Sequence, residues 1–286
     1  MKKIVKKRQQ RIAFQGERGA FSEEAILRLL GPDVEVVPCP WFDAVFKSLA
    51  SGEVDAAVIP IENTLHGSVH ENYDHLLQFD MRIIGETSVR IVHNLLAPAG
   101  VSLRKIRRIY SHPVALNQCL KFFADHPEME RVPFYDTAGS IKMVMEERPE
   151  GAAAIASARA ATIYGARVLK RSIEDDQQNF TRFFLLRRHD EEPLVAEAKR
   201  GWKTSLVFTT SRNQAGSLFR SLSAFALRDL SLTKIESRPL RGKPWEYLFY
   251  LDFLGKISDE KCQKALGHLG ELADFLRVLG SYPRAD

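Results

Sequence analysis

Hydrophobic and polar positions along the first half of the chain alternate between two periods. "RIAFQ" is a short apolar run that reads as a strand, and "SEEAILRLLG" then shows helical spacing up to Gly31. "VEVVPCP" reads as a second strand and "WFDAVFKSLASGE" as a helix stopped at Gly52. "DAAVIPIEN" is a continuous apolar strand with polar residues at its C-terminal end. This βαβαβ order predicts a mainly parallel sheet with buried strands. Ligands of such sheets sit outside the carboxyl ends of the strands. Both "GERGAFS" and "ENT" fall at such ends.

A second α/β unit follows. "RIIGETSVRIVHNLLAP" predicts one or two strands, and "IRRIYSHPVALNQCLKFFADH" a strand running through "SHP" into a helix. "AAAIASARAATIYG" predicts a strand and a helix of small residues, and "TRFFLLRR" a strong returning strand. Two α/β lobes, with the chain crossing between them more than once, predict a cleft suited to a small molecule. The polar, proline-containing stretch at 191–200 reads as a linker. Beyond it come the strand "KTSLVFTT", an amphipathic helix in "AGSLFRSLSAFALRD", the strands "LSLTKIESRP" and "WEYLFYLDF", the helix "DEKCQKALGHLGELA" and a short last strand "FLRVLG". That order, βαββαβ, is the ferredoxin-like arrangement.

Composition narrows the picture only slightly. Hydrophobic residues at 45% and charged residues at 27% are ordinary for a globular chain of 286 residues. The net charge of +5 is concentrated in residues 1–10, "MKKIVKKRQQ", read as a solubilising tail. No interleaved aromatic and basic pattern supports nucleic-acid binding. Cys39, Cys119 and Cys262 lie far apart without a CxxC pair, which argues against a disulfide framework or a thiolate zinc site. No apolar run reaches membrane-helix length, and no apolar segment follows the basic start as in a signal peptide. The expectation is a cytoplasmic protein without membrane or nucleic-acid partners.

Four stretches could carry chemistry. In "GERGAFS", Gly16 and Gly19 permit tight turns and Ser22 is placed to cap a helix whose free N–H groups attract an anion. A turn that merely starts a helix is the alternative, since no GxGxxG is present. In "IENTLHGSVHENYDHLL", Asn63 and Thr64 end a buried strand and should face the cleft. His66 and His70 near Glu62 have part of a metal-ligand spacing, but Gly67 interrupts them and HExxH is absent, so no metal is expected. In "YSHPVALNQC", Ser111 ends a strand and Gln118 lies about two turns on, with helix capping by Ser111 as the structural alternative. In "DDQQNFTRFFLL", Thr181 and Arg182 open an apolar strand. The arginine there suits a carboxylate held bidentately, or a pair with Asp175 or Asp176.

Taken together and in this order, "GERGAFSEEA", "IENT" with "GSV", "SHPVALNQC" and "TRF" at 181–183 resemble prephenate dehydratase. The unit at 201–286, with "KIESRP" at 234–239, is similar to an ACT regulatory domain. The resemblance implies a two-lobed catalytic part at 11–190 that is periplasmic-binding-protein-like, followed by the ferredoxin-like βαββαβ domain. It implies prephenate as substrate, no cofactor, and removal of carbon dioxide and water to give phenylpyruvate. By the resemblance Thr181 serves catalysis, and Ala20, Phe21, Asn63, Thr64, Ser111, Gln118, Arg182 and Phe183 hold the substrate. L-Phenylalanine is the implied effector, bound by Ala215, Gly216, Ser217, Leu218, Glu236, Ser237, Arg238 and Pro239 in a homodimer or homotetramer. The first regulatory motif departs from the family's Pro-Gly-Ala-Leu, reading Ala215-Gly216-Ser217-Leu218. Arogenate, carrying an amino group in place of the keto oxygen, remains an alternative substrate. A non-catalytic amino-acid sensor is an alternative of another class, and a dehydrogenase on the same pathway would need the missing glycine fingerprint.

Overall fold

The computed structural model describes residues 8–189, 200–210, 214–240 and 242–285. Most of the expected basic tail and nearly all of the expected linker lie outside these residues. Residues up to Phe79 together with Thr87–Leu185 form one compact unit. Asp80–Glu86 and the chain from Leu186 onward form the other.

The first unit opens with β1 (Gln10–Gln15), α1 (Phe21–Leu30), β2 (Val34–Cys39), α2 (Phe42–Ala50), β3 (Ala56–Asn63), the short β4 (Gly67–Ser68) and α3 (His70–Gln78). Strand β5 (Met81–Arg90) then leads out of this lobe. The second lobe runs β6 (Asn94–Ala97), β7 (Arg108–Ser111), α4 (Pro113–Asn117), α5 (Leu120–Asp125), β8 (Glu130–Pro133), α6 (Thr137–Glu147), β9 (Ala152–Ala156), α7 (Ala158–Tyr164) and β10 (Arg167–Lys170). Strand β11 (Phe180–Arg188) returns to the first lobe. The first sheet has the order β2-β1-β3-β11-β5, with β4 paired to β3, and the second has the order β10-β6-β9-β7-β8. Strands β1, β2 and β3 pair in parallel, as the continuous apolar runs predict. The chain therefore crosses between lobes twice, at β5–β6 and at β10–β11.

Each lobe has its own core. Ile12, Phe14, Ile26, Phe46, Val58 and Ile61 are fully buried in the first lobe. Leu95, Ile109, Phe122, Phe123 and Ile155 anchor the second. Burying a side chain of this size contributes about 1.5–3 kcal/mol. The lobes are also clasped directly. Ser157 Oγ donates to the Gly19 carbonyl at 2.6 Å, and Arg159 Nη2 reaches Glu23 Oε1 at 2.6 Å. Gly19 has φ +89°, and a Cβ there would lie 2.6 Å from the Ala160 Cα. The glycine is thus required by close approach of α7 as well as by backbone conformation.

Two details differ from the sequence expectation. The helix expected across "PVALNQCLKFFADH" is broken into α4 and α5, because the Asp175 carboxylate accepts the N–H groups of Leu120 (2.7 Å) and Lys121 (2.9 Å) and starts a new helix. The last strand is long rather than short.

The C-terminal part runs β12 (Trp202–Thr210), α8 (Ser217–Ala226), β13 (Leu232–Pro239), β14 (Tyr247–Leu254), α9 (Glu260–Leu272) and β15 (Ala273–Pro283). Its antiparallel sheet has the order β13-β14-β12-β15. Leu206, Phe208, Phe225, Leu251 and Phe253 pack between sheet and helices. On the same sheet, Ser205 Oγ donates to Asp252 Oδ1 at 2.5 Å and meets Tyr282 Oη at 2.6 Å, all buried. Lys203 Nζ pairs with the buried Glu86 at 2.7 Å, and the Ala285 N–H donates to the same carboxylate. A Cβ at Gly280 would strike the Ile83 carbonyl oxygen. Gly280→Ala is therefore expected to cost about 1–3 kcal/mol by overpacking. An unchanged apparent melting midpoint would show that β5 has room to move.

Candidate active site

A cavity of about 540 Å³, a size suited to a small ligand, opens between the two lobes of the first unit. Ala20, Phe21, Phe42 and Asn63 line it from one lobe, and His93, Gln118 and Asp136 line it from the other side. Thr181 and Phe183 project into it from β11. Strand alternation puts these two on the cavity side and Arg182 on the opposite face. There the Arg182 guanidinium lies 4.8 Å from the Phe184 ring centre. The expectation that Arg182 faces a substrate carboxylate is thus corrected by the pleat of its own strand.

A chain of side-chain hydrogen bonds runs behind the cavity wall. Asn63 Nδ2 donates to Thr181 Oγ1 at 3.0 Å, to Asn179 Oδ1 at 2.7 Å and to the Phe180 carbonyl at 3.1 Å. Asn63 Oδ1 accepts the N–H groups of Leu65 and His66, which fixes the orientation of the amide. Asn179 Nδ2 donates to Gln118 Oε1 at 2.9 Å, and His93 Nε2 donates to the same oxygen at 2.9 Å. Burial pushes the His93 imidazole below its ordinary range, so it stays neutral, with the proton on Nε2. Its Nδ1 is buried without a partner. Because Thr181 Oγ1 already accepts the Asn63 amide, its own O–H is left to donate elsewhere, and the cavity is the open direction.

Backbone N–H groups at helix starts supply donors to the wall of this cavity. Helices α1, α2, α3 and α6 all begin at its wall, through Ala20–Ser22, Trp41–Phe42, Val69 and Thr137. Helix geometry leaves the first N–H groups of each without an intrahelical acceptor, and at α6 the Asp136 carboxylate takes those of Ala138 and Gly139. A partly buried helix N-terminus stabilises an anion by up to about 2 kcal/mol. Among the described lining residues there is no lysine or arginine. The "GERGAFS" loop contributes through the helix start rather than through its glycines. The Gly19 N–H is taken by Glu23 Oε2 at 2.5 Å, and Glu23 is held by Arg18 and Arg159. Glu23 is nevertheless kept below the usual carboxylate range, since the Arg159 and Gly19 bonds outweigh the opposing effect of burial.

Several expected residues sit elsewhere. Ser22 is the second residue of α1, and Ala20 occupies the cap position. Ser111 is fully buried and does not line the cavity; its hydroxyl donates to the Ile155 carbonyl at 2.7 Å and ties β7 to β9. His112, not Ser111, caps α4, accepting the Val114 N–H. Thr64 does not line the cavity; it donates to the Gln178 carbonyl at 2.7 Å and accepts the Phe180 N–H at 2.9 Å, anchoring the loop before β11. Sequence reasoning missed His93 and Asp136. For Asp136 the signal was present, because "YDTAGSIKMVMEE" places an aspartate before a helical run, and Asp136 Oδ1 does cap α6 at Gly139 N, 2.6 Å away. Nothing around His93 in the chain marks it. In the C-terminal unit, Gly216 has φ +80° at the start of α8, and 236–239 lie on the edge strand β13.

A family model for prephenate dehydratases matches residues 12–191. The chain is 46% identical to arogenate dehydratase/prephenate dehydratase 2, chloroplastic, of Arabidopsis thaliana, over 96% of this chain and 72% of the relative. A solved prephenate dehydratase from Arthrobacter aurescens, in complex with L-Phe, is similar with TM-score 0.86 and 33% identity, over 96% of this chain and 90% of that one. A structure described as GqqA, a quorum-quenching acylase, has TM-score 0.86 and 32% identity, over 96% and 98%. The expectation of a cytoplasmic protein is overturned by these comparisons, since Arabidopsis relatives are chloroplastic.

The buried His93 makes a prediction about pH. Its folded pKa lies below the unfolded value of about 6.5, so the unfolded chain takes up the proton first. Its neutral bond to Gln118 is fully stabilising above that value and is lost as pH falls below it. Melting midpoints from pH 7 to pH 5 should fall less in His93→Gln than in the parent; equal slopes would place the acid-sensitive group elsewhere.

Proposed function

The chain belongs to the prephenate dehydratase family, and from that premise we propose how its cleft carries out the decarboxylating dehydration of prephenate to phenylpyruvate. The bond from the ring to its carboxylate breaks, and that electron pair becomes a ring π bond. The ring hydroxyl leaves with its own bonding pair and takes up one proton. Carbon dioxide, water and an aromatic keto acid result, which makes the enzyme a carbon–oxygen lyase. Aromatisation drives the step, so the groups required are ones that orient the ring, hold its carboxylates and donate to the departing oxygen.

Thr181 is assigned the donor role. Asn63 occupies the acceptor side of its hydroxyl at 3.0 Å, which directs the O–H into the cavity and stabilises charge on Oγ1 as the proton moves toward the leaving oxygen. This bond is the observation that carries the reading. A positioned donor of this kind contributes about 10²–10⁴-fold. Gln118, braced by Asn179 and His93, supports the far wall. Phe21 and Phe183 supply apolar surface for the ring, and the helix N-termini replace Arg182 as carboxylate holders. The hydrolytic chemistry of the acylase relative finds less support here. It needs a nucleophile beside a base, whereas Thr181 is bonded to an amide and the Ser111 hydroxyl is spent on a carbonyl.

Residues 11–190 are read as the dehydratase domain and 201–286 as an ACT regulatory domain acting in aromatic amino-acid biosynthesis. L-Phenylalanine is the proposed effector, held near the left-handed Gly216 and the edge strand at 236–239. Exposed sheet edges at β13 suit pairing of two or four copies.

Thr181→Ala should lower kcat for prephenate at least ten-fold with an unchanged melting midpoint, and Thr181→Ser should recover part of the loss; near-normal turnover in the alanine variant would remove Thr181 from the mechanism. Titration calorimetry with millimolar L-phenylalanine should give heat, and Gly216→Val should abolish it while basal turnover persists. Absence of heat in the parent would defeat the regulatory reading.

A further inference from the structure

Asp136 is a buried residue of the cavity wall whose charge the dehydratase reading does not use. It is buried at the wall of the cavity, at the start of α6. Its carboxylate accepts the N–H groups of Gly139, Glu17 and Ala138. Gly16 is bare beside it, since a Cβ there would lie 2.8 Å from Asp136 Oδ2. The carboxylate is therefore pinned between α6 and the loop leading to α1. Burial pushes its carboxyl above the usual range despite those three bonds.

No described cation neutralises it. The nearby cations are already committed: Lys142 pairs with Glu17 at 3.1 Å, and Arg18 and Arg159 pair with Glu23. Burial lowers the pKa of His93 and of His112, so neither offers a positive charge near neutral pH. The other carboxylate on the wall is Glu71. A buried carboxylate without a counter-ion is costly, and the cavity is where a ligand could supply one.

We propose that Asp136 is a specificity-determining residue that receives the ammonium of arogenate, while the adjacent carboxylate of the same side chain faces the N-terminus of α1. This rests on the dehydratase reading of the cleft. The keto oxygen of prephenate is neutral and an acceptor only, so at Asp136 it sets acceptor against acceptor. The amino-bearing substrate places a donor and a positive charge there. Ring chemistry is the same in both cases: one proton is consumed, and carbon dioxide and water are released. With arogenate the aromatic product is L-phenylalanine itself, so the amino group is installed before aromatisation.

The test is kcat/KM for arogenate and for prephenate with the full chain, following phenylalanine and phenylpyruvate respectively, in the parent and in Asp136→Asn. Asparagine keeps the helix cap and the shape but removes the charge. The expected result is a parent that favours arogenate and a variant in which the ratio of arogenate to prephenate kcat/KM falls about ten- to a hundred-fold, mostly through the KM for arogenate. An equal loss for both substrates, or an unchanged ratio, overturns the role of Asp136 and leaves the dehydratase reading standing. A parent inactive on both substrates overturns that reading and the inference with it. If Asp136→Asn melts early, Asp136→Ser, another capping residue without charge, is judged by the same ratio.

Discussion

The amide of Asn63 ties together nearly everything that the active cleft requires. Its oxygen is fixed by two backbone N–H groups just beyond β3, so its nitrogen can only point toward β11. There it orients Thr181 and grips Asn179, and through Asn179 it reaches Gln118 and His93. Those last residues belong to the second lobe and to the stretches where the chain crosses over. One hydrogen-bond chain therefore orients the Thr181 hydroxyl, braces the opposite wall and passes through both crossings. A glutamine at position 118 with its oxygen doubly used, and an imidazole kept neutral by burial, are consequences of that chain rather than separate features.

The electrostatics of the cleft follow from the fold. Four helices begin at one cavity, and none of the described lining residues is a lysine or arginine. In the proposed dehydratase reading, backbone N–H groups meet the substrate carboxylates; they need no desolvated side-chain charge and hold their positions without loss of side-chain freedom. Arginines do appear near the first loop, but they are spent on Glu23, where they clasp the lobes. The division is physical: guanidinium groups close the frame, and helix ends face the cavity.

How much of this was legible beforehand varied with the range of the interaction. The element order, the two lobes and the βαββαβ unit were legible because burial imposes periods of two and 3.6 on the residues themselves. Asn63, Gln118, Thr181, Ala20, Phe21 and Phe183 all line the cavity, which motif order had implied. Ser111, Thr64 and Arg182 did not follow. Their roles depend on which strand lies beside them: β9 next to β7 consumes the Ser111 hydroxyl, and the pleat of β11 turns Arg182 outward. The break between α4 and α5 comes from Asp175, more than fifty residues away, and no local pattern carries it. Asp136 carried a capping signal that pointed to a helix start, but its place at the cleft emerged only with the neighbouring loop.

The central claim is that Asn63 acts through Thr181. It is tested most directly by a double-mutant cycle on kcat with Thr181→Ala and Asn63→Asp, the latter keeping shape and the oxygen that accepts from Leu65 and His66 while removing the N–H donor. The account predicts strong non-additivity, with the double variant no slower than Thr181→Ala alone by more than about two-fold. Losses that simply multiply would show that the two residues act independently, and would contradict it.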